Sequence, residues 1–126
     1  MKQESKGHIL CVEDDEESMF MLQTLLELNG YKVSPARSLM EGLSLARSNG
    51  FDLFLLDDWL PDGIGIDLCK QIRDFDSITP ILFYSGVAGE VERERAISAG
   101  AQEYLFKPVD IEILTARVAQ LISHRV

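Results

Sequence analysis

Phe51-Asp52-Leu53-Phe54-Leu55-Leu56-Asp57-Asp58-Trp59-Leu60-Pro61-Asp62-Gly63 decides the fold. An apolar run ends abruptly in two aspartates, and Leu-Pro and Asp-Gly turn chemistry follows. A short continuous apolar run bounded by turn signals reads as a strand buried on both faces, which implies a parallel sheet covered by helices. In such sheets chemistry sits just beyond the carboxyl ends of the strands. Asp57 stands at that end and is the first candidate for function.

Working outward, His8-Ile9-Leu10-Cys11-Val12 reads as the first strand and runs into Glu13-Asp14-Asp15-Glu16-Glu17. Met19, Phe20, Leu22, Leu25, Leu26 and Leu28 then recur at helical spacing, with Asn29-Gly30 as the stop. Tyr31 to Pro35 is a short second strand. Ser38 and Glu41 form a capping-box pattern ahead of a helix with Leu39, Gly42, Leu43 and Ala46 inside, stopped by Asn49-Gly50. Gly63-Ile64-Gly65 leads into a third helix carrying Ile66, Leu68, Cys69 and Ile72. Asp76 to Thr79 is polar loop, and Pro80 to Tyr84 is the fourth strand, broken by Ser85-Gly86. A charged helix, Gly89 to Ala99, ends at Gly100. Gln102 to Phe106 is the fifth strand, closed by Lys107-Pro108. Asp110 caps a last helix whose inner face is Ile111, Leu114, Val118, Leu121 and Ile122. The alternation predicts an α/β, doubly wound, five-stranded parallel sheet with helices on both faces.

The 126 residues are expected to form one domain, 1–126, with Met1 to Gly7 as a flexible lead-in. No apolar run is long enough to cross a bilayer and the first residues lack a secretory core, so a cytoplasmic protein without membrane insertion is expected. The net charge of −9 argues against direct nucleic-acid binding. It suits a divalent cation or a partner with a basic patch. Cys11 and Cys69 read as buried free thiols without a redox role. His8 and His124 are assigned to no site.

Parallel strands deliver their carboxyl ends to one edge. That edge receives Glu13, Asp14 and Asp15 after the first strand, Asp57 and Asp58 after the third, Ser85 after the fourth and Lys107 after the fifth. Taken singly, the acids suit a helix start, Asp57-Asp58 a turn, Ser85 a cap and Lys107 a solvated surface. Their joint placement at successive strand ends points elsewhere. Crowded carboxylates repel unless a positive charge sits among them, and a hard cation with oxygen ligands such as Mg²⁺ supplies it. A lysine can hold a phosphate oxygen, and a carboxylate can act as nucleophile toward phosphorus.

The chain resembles the receiver domains of two-component response regulators. The resemblance rests on Ile9-Leu10-Cys11-Val12-Glu13-Asp14-Asp15, Leu55-Leu56-Asp57 with Leu60-Pro61-Asp62-Gly63, Pro80 to Gly86, Ala99-Gly100-Ala101 and Tyr104-Leu105-Phe106-Lys107-Pro108. It implies a flavodoxin-like (βα)5 fold with strand order 2-1-3-4-5. It implies that Asp57 accepts a phosphoryl group from a phosphohistidine on a histidine kinase or histidine phosphotransfer protein. Glu13, Asp14, Asp57 and the backbone carbonyl of Trp59 would hold Mg²⁺, or Mn²⁺ in its place. Ser85 would bond a phosphoryl oxygen, Lys107 would pair with Asp57 and then the phosphate, and Tyr104 would be the switch aromatic. The Lys107-Pro108 bond would be cis. The readout face would be the fourth helix, fifth strand and fifth helix, here including Glu92-Arg93-Glu94-Arg95. Such a domain is a phosphoacceptor switch rather than a turnover enzyme, and its effector or output domain is not identified by the sequence.

The chain departs from the family's commoner residues at several positions. Glu13 stands where Asp is more frequent, Ser85 where Thr is commoner, and Asp58 where the family is commonly apolar. Trp59 and Val87 occupy positions that tune dephosphorylation in the family. The alternative is a receiver-like interaction module that works without phosphorylation. A phosphatase with an aspartyl-phosphate intermediate ranks lower, because Trp59 stands where that class has a second aspartate. A flavodoxin-like nucleotide binder ranks lower too, because no Gly-rich loop follows the first strand.

Overall fold

In a computed structural model, residues 5–48, 50–87 and 89–123 are described. Asn49 and His124 therefore lie outside the described residues, as do Met1 to Glu4 of the lead-in. The elements run β1 (His8–Val12), α1 (Glu16–Leu28), β2 (Lys32–Ala36), α2 (Leu39–Arg47), β3 (Leu53–Leu56), β4 (Trp59–Leu60), β5 (Gly63–Ile64), α3 (Gly65–Arg73), β6 (Ile81–Ser85), α4 (Glu90–Ser98), β7 (Glu103–Phe106) and α5 (Ile111–Ser123). The main sheet is parallel throughout and ordered β2-β1-β3-β6-β7. Numbered by its own strands alone, this is the expected 2-1-3-4-5 order. β4 and β5 form a separate antiparallel hairpin, too short for its strands to show in the sequence pattern.

The central strand β3 is Leu-Phe-Leu-Leu, with every residue at most 1% exposed. Its alternation sorts the core into two layers. Leu10, Val12, Phe54, Leu56 and Phe83 face α2, α3 and α4 through Ala46, Leu68, Ile72 and Ala96. Ile9, Cys11, Leu53, Leu55 and Leu82 face α1 and α5 through Met19, Leu22, Leu26, Leu114 and Val118. Each such Leu or Ile contributes about 2 kcal/mol by leaving water. Cys11 and Cys69 are buried and free.

Most caps follow the local signals. Asp15 caps α1 through Ser18 N at 2.9 Å, and Ser38 caps α2 through Glu41 N at 3.1 Å, with Glu41 reaching back to Arg37 N. Asp110 accepts from Glu112 N at 3.0 Å. The inner faces are narrower than the apolar spacing suggests. Phe20 (73% exposed), Leu28 (81%) and Ile111 (52%) point to solvent. Six apolar residues in one α1 stripe exceed what a single helix face can bury against a sheet, so the flanks stay out.

Three local devices tie the elements together. Arg73, at the end of α3, donates to the carbonyls of Gly100, Asp76 and Thr79 at 2.8–3.0 Å and to Gln102. It ties together the turns before β6 and β7. Gly65 starts α3 against the backbone of β3. A Cβ there would lie 2.2 Å from the Asp57 carbonyl oxygen, so no larger residue fits without displacing that strand end. At the sheet margin, β2 contains Pro35 opposite Cys11. His8 bonds Ser34 at 2.7 Å and packs on Phe51, at the sheet edge opposite the acidic cluster.

Candidate functional site

The parallel register brings the ends of β1, β3, β6 and β7 to one edge, and the side chains expected there converge. Glu13, Asp14 and Asp57 each offer a carboxylate oxygen within 4.8 Å of the others. The Lys107 ammonium reaches in from β7. It hydrogen-bonds Glu13 and stands 3.7 Å from Asp57 Oδ2. Glu13 is 1% and Asp57 8% exposed. The Lys107-Pro108 bond is cis, as expected.

The charges explain one another. Burial pushes the Glu13 carboxyl above its ordinary range, against the opposing pull of Lys107. Burial also works against the Lys107 ammonium, but the Glu13 and Asp57 carboxylates outweigh it and hold its pKa above the usual value. Three carboxylates face one ammonium, so two negative charges stay uncompensated at the cleft. A divalent cation with oxygen ligands matches that deficit in charge and in donor type.

Around Asp57 opens a cleft of about 430 Å³ lined by Trp59, Ser85, Gly86 and Val87. Asp57 Oδ1 accepts from Asp58 N at 2.8 Å, which leaves Oδ2 toward Lys107. Ser85 is fully buried at the end of β6, and its hydroxyl accepts from Val87 N at 3.2 Å. Tyr104 is also fully buried, stacked on Phe83 and edge-on to Phe106. Its hydroxyl donates to the Val87 carbonyl at 2.7 Å. Ser85 and Tyr104 thus hold the two sides of one residue in the loop after β6.

Asp58 resolves differently from Asp57. Its side chain accepts from Ile66 N at 3.3 Å and meets the Glu92 carboxyl of α4. Burial and the hydrogen bond with Glu92 push it up to about 6. No local sequence pattern announces this pairing, since Asp58 and Glu92 lie far apart in the chain. The sequence around Asp62 suggests only turn chemistry. From the hairpin turn Asp62 also caps α2, accepting from Leu39 N at 2.7 Å and Met40 N at 3.0 Å.

The family model for the response regulator receiver domain matches residues 9–119. The chain belongs to the response regulator receiver family. Receiver relatives agree over most of its length. A transcriptional regulatory protein of Bacillus subtilis, YkoG, is 38% identical over 90% of the chain and 50% of its own length. The KDP operon transcriptional regulatory protein KdpE of Escherichia coli is 37% identical over 88% of the chain and 49% of its own length. This receiver thus spans about half the length of the curated relatives it matches. Among solved structures, the non-phosphorylated HemR receiver domain of Leptospira biflexa superposes with a TM-score of 0.90 at 39% identity. It covers 96% of the chain and 98% of the HemR chain. A CheY-like receiver domain protein of Methanospirillum hungatei gives 0.89 at 28% identity, covering 94% of the chain and 95% of its own. Among the described residues no helix of this receiver is long and apolar enough to cross a membrane.

Proposed function

We propose that this receiver accepts a phosphoryl group on Asp57 from a phosphohistidine of a histidine kinase or histidine phosphotransfer protein, with Mg²⁺ (or Mn²⁺) bound. The observation that carries the reading is the cluster itself: Asp57 lies 3.7 Å from Lys107, with Glu13 and Asp14 oxygens within 4.8 Å. A free Asp57 oxygen attacks phosphorus. The nitrogen–phosphorus bond of the donor breaks, its electron pair stays on the imidazole, and an acyl phosphate remains on Asp57. Glu13, Asp14, Asp57 and the Trp59 carbonyl would hold the metal, whose positive charge would offset the negative charge of the transferring phosphoryl oxygens. Lys107 then turns from the carboxylates to a phosphoryl oxygen, and the Ser85 hydroxyl donates to another.

The switch follows from the loop after β6. Drawing Ser85 toward the phosphate disturbs the Val87 carbonyl that Tyr104 now holds, and the aromatic ring and loop shift together between two packed arrangements. Arg93 of α4 reads that change directly. It donates to the Tyr104 carbonyl at 3.3 Å and lies over the Phe106 ring at 5.6 Å. The face of α4, β7 and α5 is the output surface, and the names of the relatives point to control of transcription as the output. Asp58 does not obstruct the chemistry, because its carboxyl engages Ile66 and Glu92 rather than the cleft.

Intact mass after incubation with Mg²⁺ and acetyl phosphate tests the reading. One added phosphoryl group is expected, absent in Asp57→Ala and in EDTA. No gain from acetyl phosphate or from a phosphohistidine donor overturns it in favour of a module that works without phosphorylation.

A further inference from the structure

The β4–β5 hairpin carries Trp59, and Leu60 beside it packs against the core. A two-residue ladder is marginal on its own, and Trp59 (68% exposed) and Ile64 (41%) lie largely in solvent. Its root is fixed, since Gly65 N donates to the Asp58 carbonyl at 2.6 Å and Gly65 abuts the Asp57 carbonyl. Its tip is held from another element altogether. The Asp62 carboxylate takes both N–H groups that open α2, at 2.7 and 3.0 Å. Beside it, a Cβ on Gly63 would meet the Leu39 side chain at 2.8 Å, so turn and helix are in close contact. Donation from two main-chain N–H groups holds the carboxyl below its usual range, as expected for an anion at a helix start.

From this geometry we infer that Asp62 is a positioning residue for the metal site: by clasping the hairpin tip to α2 it fixes the Trp59 main chain beside Glu13, Asp14 and Asp57. The inference rests on the proposed phosphoacceptor reading, in which the Trp59 carbonyl is a metal ligand. Ser38 provides the internal control. It caps the same helix through Glu41 N and, among the described residues, makes no hydrogen bond to the hairpin. Loss of either cap weakens α2, but only loss of Asp62 releases the hairpin tip.

Trp59 is the only tryptophan, so its fluorescence reports the hairpin alone. The experiment compares wild type, Asp62→Ala, Asp62→Asn and Ser38→Ala by Trp59 anisotropy in EDTA, Mg²⁺ titration and urea unfolding. Asp62→Ala is expected to lower the anisotropy without metal and to weaken Mg²⁺ binding about tenfold, the usual effect of losing a group that orients a ligand. Asp62→Asn, which keeps one acceptor oxygen, is expected to recover part of both. Ser38→Ala is expected to lose stability with anisotropy and Mg²⁺ affinity unchanged. Equal Mg²⁺ affinity in wild type and Asp62→Ala, or equal loss in Ser38→Ala, overturns the inference while leaving the phosphoacceptor reading intact. Absence of Mg²⁺ binding by wild type overturns both, and the EDTA anisotropy then shows separately whether the clasp exists.

Discussion

Replacing Asp58 by Asn should make the protein more stable at neutral pH, and the gain should vanish in mild acid. Asp58 is 1% exposed, and burial together with the Glu92 carboxyl pushes it from 3.8 up to about 6. In the unfolded chain the group ionises near its ordinary value, whereas in the folded protein it holds its proton to higher pH. The folded state therefore binds more protons between those values, and stability falls as pH rises through the window. Roughly two pH units at about 1.4 kcal/mol each gives a penalty on the order of 3 kcal/mol, complete above pH 6. Asparagine keeps an acceptor for Ile66 N and offers Glu92 a donor that needs no proton, so the penalty is removed and the contacts remain. Urea unfolding in EDTA at several pH values from 4 to 7.5 measures the difference between variant and wild type. The expected difference is near zero at pH 4 and on the order of 2–3 kcal/mol at pH 7, with unchanged m-values. A difference that is the same at both ends, or a variant less stable at pH 7, would refute the assigned ionisation and the Glu92 contact.

Two further perturbations probe the cluster and the scaffold. Lys107→Met leaves the buried Glu13 and Asp57 carboxylates without their ammonium. It should lower stability in EDTA by about 3 kcal/mol, and millimolar Mg²⁺ should restore much of the loss in the same urea titration. Arg73→Lys keeps the charge but cannot span the carbonyls of Gly100, Asp76 and Thr79. It should cost about 2 kcal/mol by urea unfolding, with phosphorylation by acetyl phosphate retained.

The sheet and the convergence of Glu13, Asp14, Asp57, Ser85 and Lys107 were legible because both follow from one rule. Buried parallel strands are continuous apolar runs, and their carboxyl ends share an edge. The faces of α1 and α5 were only half legible. Spacing identifies an apolar stripe, but whether Phe20, Leu28 and Ile111 are covered depends on how far a neighbouring element extends. The hairpin was invisible because two residues per strand carry no period. Asp62 was invisible in its role because a carboxylate that accepts from N–H groups more than twenty positions away leaves no local pattern, unlike Ser38 and Glu41. The orientation of Asp58 was open for the same reason: Glu92 comes from a different helix.

The Pro35 of β2 has a consequence for association between copies. Lys32 N donates to the Gly7 carbonyl and the Ala36 carbonyl accepts from Glu13 N, so even-numbered residues of β2 turn their main chain toward β1. Pro35 is odd-numbered, and the hydrogen it lacks belongs to the outward row. Strand-on-strand growth, the ordinary route from a stray sheet margin to a fibre, meets a missing donor on that side. The opposite margin, β7, has no proline. Ordered addition of a foreign strand, where it occurs at all, is thus steered to the flank that also carries Tyr104 and Phe106.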